Sequence, residues 1–128
     1  MKLNPNCIRD ILLVVEDICT FENPWEYQRD ACKPRRLAQY DHSVILYHIR
    51  QAEKSDLIEG VDYYDEGDAV LICDLTPKGH EFLSNIRNDS IWKRVISKAS
   101  DASLPILFEV AKEVALKHFL GRAGNPPT

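Results

Sequence analysis

Between two stretches of helical apolar spacing the chain carries the run Ala69-Val70-Leu71-Ile72-Cys73, followed within three residues by Thr76-Pro77. That run is short, rich in β-branched residues and bounded by turn residues, so it reads as a strand rather than a helix. Leu57-Ile58 supplies a second short strand. The polar tip from Tyr64 to Gly67 joins the two into a hairpin. The tip is longer than a tight two-residue turn, so the hairpin is expected to project. A chain built this way has to place one small β element between helices.

The helices are legible from caps and period. Asn4 and Pro5 suit the cap and first position of a helix, and Ile8, Ile11, Leu12, Val15, Ile18 and Cys19 then form one apolar stripe. Thr20 to Pro34 has two prolines and no clean period, so a loop is expected there, with a short strand over Arg35 to Tyr40. Asp41, His42 and Ser43 offer caps for a helix over Val44 to Lys54. Its apolar face is Ile45, Ile49 and Ala52, with Tyr47, His48, Arg50, Gln51 and Lys54 placed outward.

After the hairpin, Thr76 caps a helix that begins at Pro77 and turns Phe82, Leu83 and Ile86 inward. Ile91, Trp92, Val95 and Ile96 mark the next. After a break at Ser100-Asp101, Ser103 caps a last helix with Leu107, Phe108, Ala111, Val114, Ala115 and Phe119 on its apolar side. Gly121 is the expected stop. The length of 128 residues suits one domain over 1–120, with a core over 1–88, added helices over 90–120 and a disordered tail over 121–128. The class is mainly α with a small β-hairpin, an α+β chain.

Three resemblances refine this. Leu46 to Ile58, through His48, Ile49, Ala52, Leu57 and Ile58, resembles the recognition helix and following strand of ArsR-like bacterial repressors, with Asp56 where glycine is usual. Asp enters the left-handed region at modest cost, so the match survives. Leu75-Thr76-Pro77-Lys78-Gly79 resembles the end of the wing in MarR- and PadR-type regulators, where Gly79 permits close helix packing. The whole chain is similar to an uncharacterised family of small bacterial and phage proteins, a domain of unknown function. That likeness rests on Met1 to Leu13, on Tyr47-His48-Ile49 and on Leu75 to Leu83. It implies a prokaryotic or phage origin and a winged helix-turn-helix with additional C-terminal helices.

That fold points first to a transcriptional regulator binding double-stranded DNA, with Ser43, Tyr47, His48, Arg50, Gln51 and Lys54 as contact residues. The wing argues otherwise. Asp56, Glu59, Asp62, Asp65, Glu66, Asp68 and Asp74 lie between Ser55 and Leu75 with no Lys or Arg, and phosphates repel such a loop. The formal net charge of −4 points the same way. The alternative is a protein-interaction module, such as a phage factor that modulates a host protein or defence complex through Asp62, Asp65, Glu66 and Asp68. Basic residues gather elsewhere, at Arg29, Lys33, Arg35 and Arg36 and again at Arg87, Lys93, Arg94 and Lys98. Such charge polarity suits protein recognition.

No converging titratable set is found, so no enzyme and no cofactor are expected. Asp62, Asp65, Glu66 and Asp68 lack the twelve-residue calcium-loop pattern, so no metal is expected either. Cys7, Cys19, Cys32 and Cys73 contain no C-x-x-C pair and are read as reduced thiols, with Cys7 and Cys73 as small buried hydrophobes. With no apolar run long enough to span a bilayer and no signal-like start, the expected location is the cytoplasm. The apolar C-terminal helices either extend the core or form a homodimer interface.

Overall fold

Asn4 opens the first helix as its side chain allows, accepting a hydrogen bond from the Asn6 amide at 3.0 Å while Pro5 occupies the first turn. The computed structural model of the protein describes residues 1–123. In order they form α1 (Pro5–Ile18), β1 (Trp25–Gln28), α2 (His42–Lys54), β2 (Ile58–Glu59), β3 (Asp62–Tyr64), β4 (Ala69–Ile72), β5 (Asp74–Leu75), α3 (Pro77–Ile86), α4 (Asp89–Ala99) and α5 (Leu104–Ala123). The described residues are therefore mainly helical with small antiparallel sheets, the α+β class expected. They fall into two compact units, Met1–His80 and the described residues from Glu81 onward.

In the first unit a three-stranded antiparallel sheet has the order β1-β4-β3. Trp25 pairs with Ile72, Tyr27 with Val70, and Tyr63 also with Val70. The strand β1 corrects the expectation of an unbroken loop over Thr20–Pro34. Trp25 and Tyr27 are buried while Glu26 and Gln28 face out, so the segment has the two-residue period of a half-buried strand. The expected strand at Arg35–Tyr40 is instead a single 3-10 turn, Arg35–Leu37, pinned by fully buried Leu37.

The hairpin is also built differently. Ile58–Glu59 pairs with Asp74–Leu75 in a separate two-stranded ladder, and the projecting arm is β3 on β4. The ladders part at Gly60 (φ +64°), opposite Cys73. Cys73 is consequently exposed, not the buried hydrophobe expected, whereas Cys7 is fully buried.

Two junctions behave as the sequence suggests. Asp56 sits at φ 59°, the left-handed conformation inferred for it. The Thr76 hydroxyl accepts from the Gly79 amide at 2.9 Å and donates to the Asp56 carbonyl, tying the start of α3 to the end of α2. A Cβ at Gly79 would lie 2.1 Å from the Leu57 carbonyl oxygen, so only glycine fits that close approach. Ile8, Ile11, Leu12, Val15, Ile45, Ile49, Val70 and Ile72 fill this unit's core.

The second unit rests on α4 and α5. Asn88 caps α4 by accepting from Ser90 and Ile91, and Ile91, Trp92 and Val95 are buried with Leu107, Ala111 and Ala115. Phe82 meets Phe108 edge-on at 4.4 Å. Phe119, expected on the apolar side, is exposed, as are Ile106, Leu116 and Leu120. The helix α5 does not stop at Gly121 but reaches Ala123. That glycine lacks the left-handed turn that ends a helix, and nothing crowds it. The remainder of the expected tail, 124–128, lies outside the described residues.

Candidate nucleic-acid interface

Burial of Ile45, Ile49 and Ala52 fixes which side of α2 looks outward. Ser43, Tyr47, Arg50 and Lys54 are spaced by four, three and four residues, so they form one row on the opposite side, with Gln51 beside it. Ser43, Arg50 and Lys54 are exposed, while Tyr47 and Gln51 are half-buried. The row holds two cations, a hydroxyl, a phenol and an amide, and no carboxylate.

His48 does not belong to that row. It is 1% exposed, its Nε2 accepts the Asn4 amide at 2.8 Å and its Nδ1–H donates to the Val44 carbonyl at 2.8 Å. Both ring nitrogens are used within the fold, and burial holds the imidazole pKa below its ordinary value. This histidine therefore joins α2 to the entry of α1 and is withdrawn from the contact set.

The acidic residues Asp62, Asp65, Glu66 and Asp68 are all exposed on the arm. The tip turns through Asp65 (φ 51°), Glu66 (φ 57°) and Gly67 (φ 95°), three successive left-handed residues. Asp68 is anchored: its carbonyl accepts the Arg29 amide at 2.8 Å, and its carboxylate lies 3.4 Å from the Arg29 guanidinium and 3.8 Å from His42 Nε2. His42 in turn stacks on the buried Tyr27 ring and hydrogen-bonds its hydroxyl through Nδ1 at 2.7 Å. Strand β1, the first turn of α2 and the arm are thus joined through one polar chain.

A second link was not foreseen. The Arg50 guanidinium lies over the Tyr63 ring, 5.6 Å from its centroid, and the Tyr63 hydroxyl donates to Glu53 at 3.2 Å. Burial, then the neighbouring Glu53 carboxylate, pushes the Tyr63 phenol pKa up, so it stays a donor. A groove of about 450 Å³ runs beside this contact, lined by Ser43, Leu46, Tyr47, Arg50, Tyr63, Glu66 and Gly67. Only the register of β3 on β4 places Tyr63 over α2, and no local sequence signal announces it.

The basic segment before α2 is partly engaged as well. Lys33 donates to the Tyr40 carbonyl at 2.7 Å, and Arg36 lies 4.0 Å from Asp10. The Tyr40 hydroxyl donates to Asp10 at 2.7 Å, while burial raises the Asp10 pKa. Arg35 and Arg36 border a smaller groove, of about 370 Å³, with Leu13, Val14, Asp17 and Ile18. Among the described residues no group of three or more His, Cys, Asp or Glu is placed to hold a metal ion, and no helix is long and apolar enough to cross a membrane.

The chain is thus an α+β protein that carries an exposed cationic helix face beside an acidic hairpin. It belongs to the DUF2513 family, described as "Hypothetical protein (DUF2513)", whose profile matches residues 2–105. An uncharacterized protein of Haemophilus influenzae (strain ATCC 51907 / DSM 11121 / KW20 / Rd) is 32% identical over 116 residues, covering 90% of this chain and 92% of the relative. No solved structure matches the chain.

Proposed function

We propose that this chain is a non-enzymatic, winged-helix DNA-binding regulator of bacterial or phage origin that acts in the cytoplasm and reads duplex DNA through α2. The order helix, strand, turn, helix, hairpin supports the winged-helix reading. One observation carries the function: Ser43, Tyr47, Arg50, Gln51 and Lys54 line the outward side of α2 with no acid among them. A helix of that composition fits a major groove, where Arg and Gln meet base edges and Lys meets phosphate. Arg35 and Arg36, exposed just before α2, add to the positive approach. The arm stays off the phosphates, because its charge opposes contact.

Fluorescence anisotropy against duplexes from the protein's own upstream region tests this. Binding at low salt is expected, and Lys54→Gln should lower the steepness of the salt dependence by about one phosphate contact. Absence of binding at low ionic strength would overturn the proposal.

A second reading has its own support. Asp65 and Glu66 project from the tip and make no ion pair among the described residues, which suits docking on a basic partner such as a host protein. Reversing Asp65 and Glu66 to Lys would abolish capture of such a partner, and unchanged capture would dismiss this role for the arm. A homodimer through the exposed apolar residues of α5 is compatible with either reading. Sedimentation showing only monomer at high concentration would exclude it.

A further inference from the structure

We infer that Arg50 is the base-reading residue of α2, that it reads guanine, and that Tyr63 on the arm positions it. This rests on the DNA-binding reading above. The guanidinium is planar, always charged and presents parallel N–H donors that match the O6 and N7 acceptors of guanine in the major groove. A free arginine on a helix surface loses much side-chain entropy when it makes such a contact. Here that freedom is already restricted. The Tyr63 ring lies under the guanidinium at 5.6 Å, and the ring is itself held by its hydroxyl on Glu53.

The guanidinium also hydrogen-bonds the Tyr63 hydroxyl, and its remaining N–H donors are left for a base edge. Tyr63 remains 36% exposed, so the pair sits at the surface rather than inside the fold. Its neighbours in the row suit the rest of the approach. Ser43 and Tyr47 border the same groove and Lys54 lies one turn beyond Arg50, so phosphate and sugar contacts can flank the base contact. This arrangement also gives the acidic arm a task that needs no contact with DNA. Its strand β3 carries the platform on which the reading arginine rests.

The experiment is selection of bound duplexes from a randomised library by the full chain, followed by affinity measurements at fixed salt. The selected site is expected to hold a guanine whose replacement weakens binding roughly tenfold or more. Arg50→Ala removes the donors that meet guanine O6 and N7, so weakened binding should persist through the flanking contacts while the guanine preference collapses. Tyr63→Ala should also flatten the preference, at an unchanged salt slope, and Tyr63→Phe, which keeps the ring face, should retain most of it. A merely structural role for Tyr63 would instead weaken all duplexes alike, so that result overturns the positioning role. A guanine preference that survives Arg50→Ala overturns the reading role while leaving DNA binding intact. No enriched duplex at all would overturn DNA binding itself, and this inference with it.

Discussion

Acidification should loosen this protein through His48. The neutral imidazole accepts the Asn4 amide at Nε2 and donates from Nδ1 to the Val44 carbonyl, both at 2.8 Å. Protonation puts a second N–H where the Asn4 amide already points, and two donors then face each other in a buried site. Leaving a buried donor without its acceptor costs about 1–3 kcal/mol. Burial accordingly lowers the folded-state pKa below the ordinary 6.5. With the folded pKa depressed, the unfolded chain binds more protons in the window between the two values, so stability falls as pH falls below about 6.5. The slope cannot exceed about 1.4 kcal/mol per pH unit from one group, and it ends at the folded-state pKa. Asp10 acts in the opposite sense at lower pH, because its raised pKa makes the folded state the better proton acceptor. Subtracting a His48→Gln variant isolates the histidine. Urea unfolding at about pH 7.5 and about pH 5.5 should show wild type losing more stability than the variant, by no more than about 1.4 kcal/mol over that range. The variant itself should be weaker at the upper pH by about 1–3 kcal/mol. Parallel pH profiles for the two proteins would refute the assigned role of His48.

Other positions give sharper structural tests. Gly79→Ala places a Cβ 2.1 Å from the Leu57 carbonyl oxygen, a backbone atom that cannot swing aside, and should cost about 3 kcal/mol or more in a thermal melt. Thr76→Val keeps the shape and loses both hydroxyl bonds, to Gly79 and Asp56, so a loss of about 1–3 kcal/mol in urea is expected. Asp56→Gly relieves a left-handed φ of 59° at the expense of chain entropy, and the same assay should register a gain of no more than about 1 kcal/mol. Ile49→Ala empties a fully buried position on α2 and should cost about 2–5 kcal/mol.

What could be read from the sequence was local chemistry. Caps at Asn4 and Thr76, the left-handed Asp56 and the tight glycine at Gly79 each depend on neighbours within a few residues or on one close strand. Strand β1 was present as the alternation Trp25-Glu26-Tyr27-Gln28, but four residues between prolines give too short a period to stand out beside a helical stripe of fourteen residues. His48 misled for a different reason. Its position on the helix wheel lies at the margin of the apolar face, and only the amide of Asn4, forty-four residues away, shows that the ring is an internal acceptor. Tyr63 and Tyr27 matter through partners that the sheet register brings near, so no spacing rule could have found them. Phe119 shows the converse limit. The helix α5 is apolar on nearly every side, and spacing alone cannot say which side a neighbour covers.

Part of the charge of the acidic arm is tied to the fold. Asp68 is answered by Arg29 and approached by His42, so that carboxylate serves to join the arm to β1 and α2. Glu53 and Tyr63 make the second tie, on the other side of the groove. What remains outward is the tip, Asp65 and Glu66, where two non-glycine residues adopt left-handed backbone and each costs of order 1 kcal/mol. The arm's negative charge therefore divides into a structural share and a projecting share. Only the projecting share bears on what the arm meets, and it lies at the end of β3, beyond the ring that holds Arg50. A charge placed there leaves the cationic row of α2 open, and under the proposed DNA-binding role it would keep the tip of the arm off phosphate.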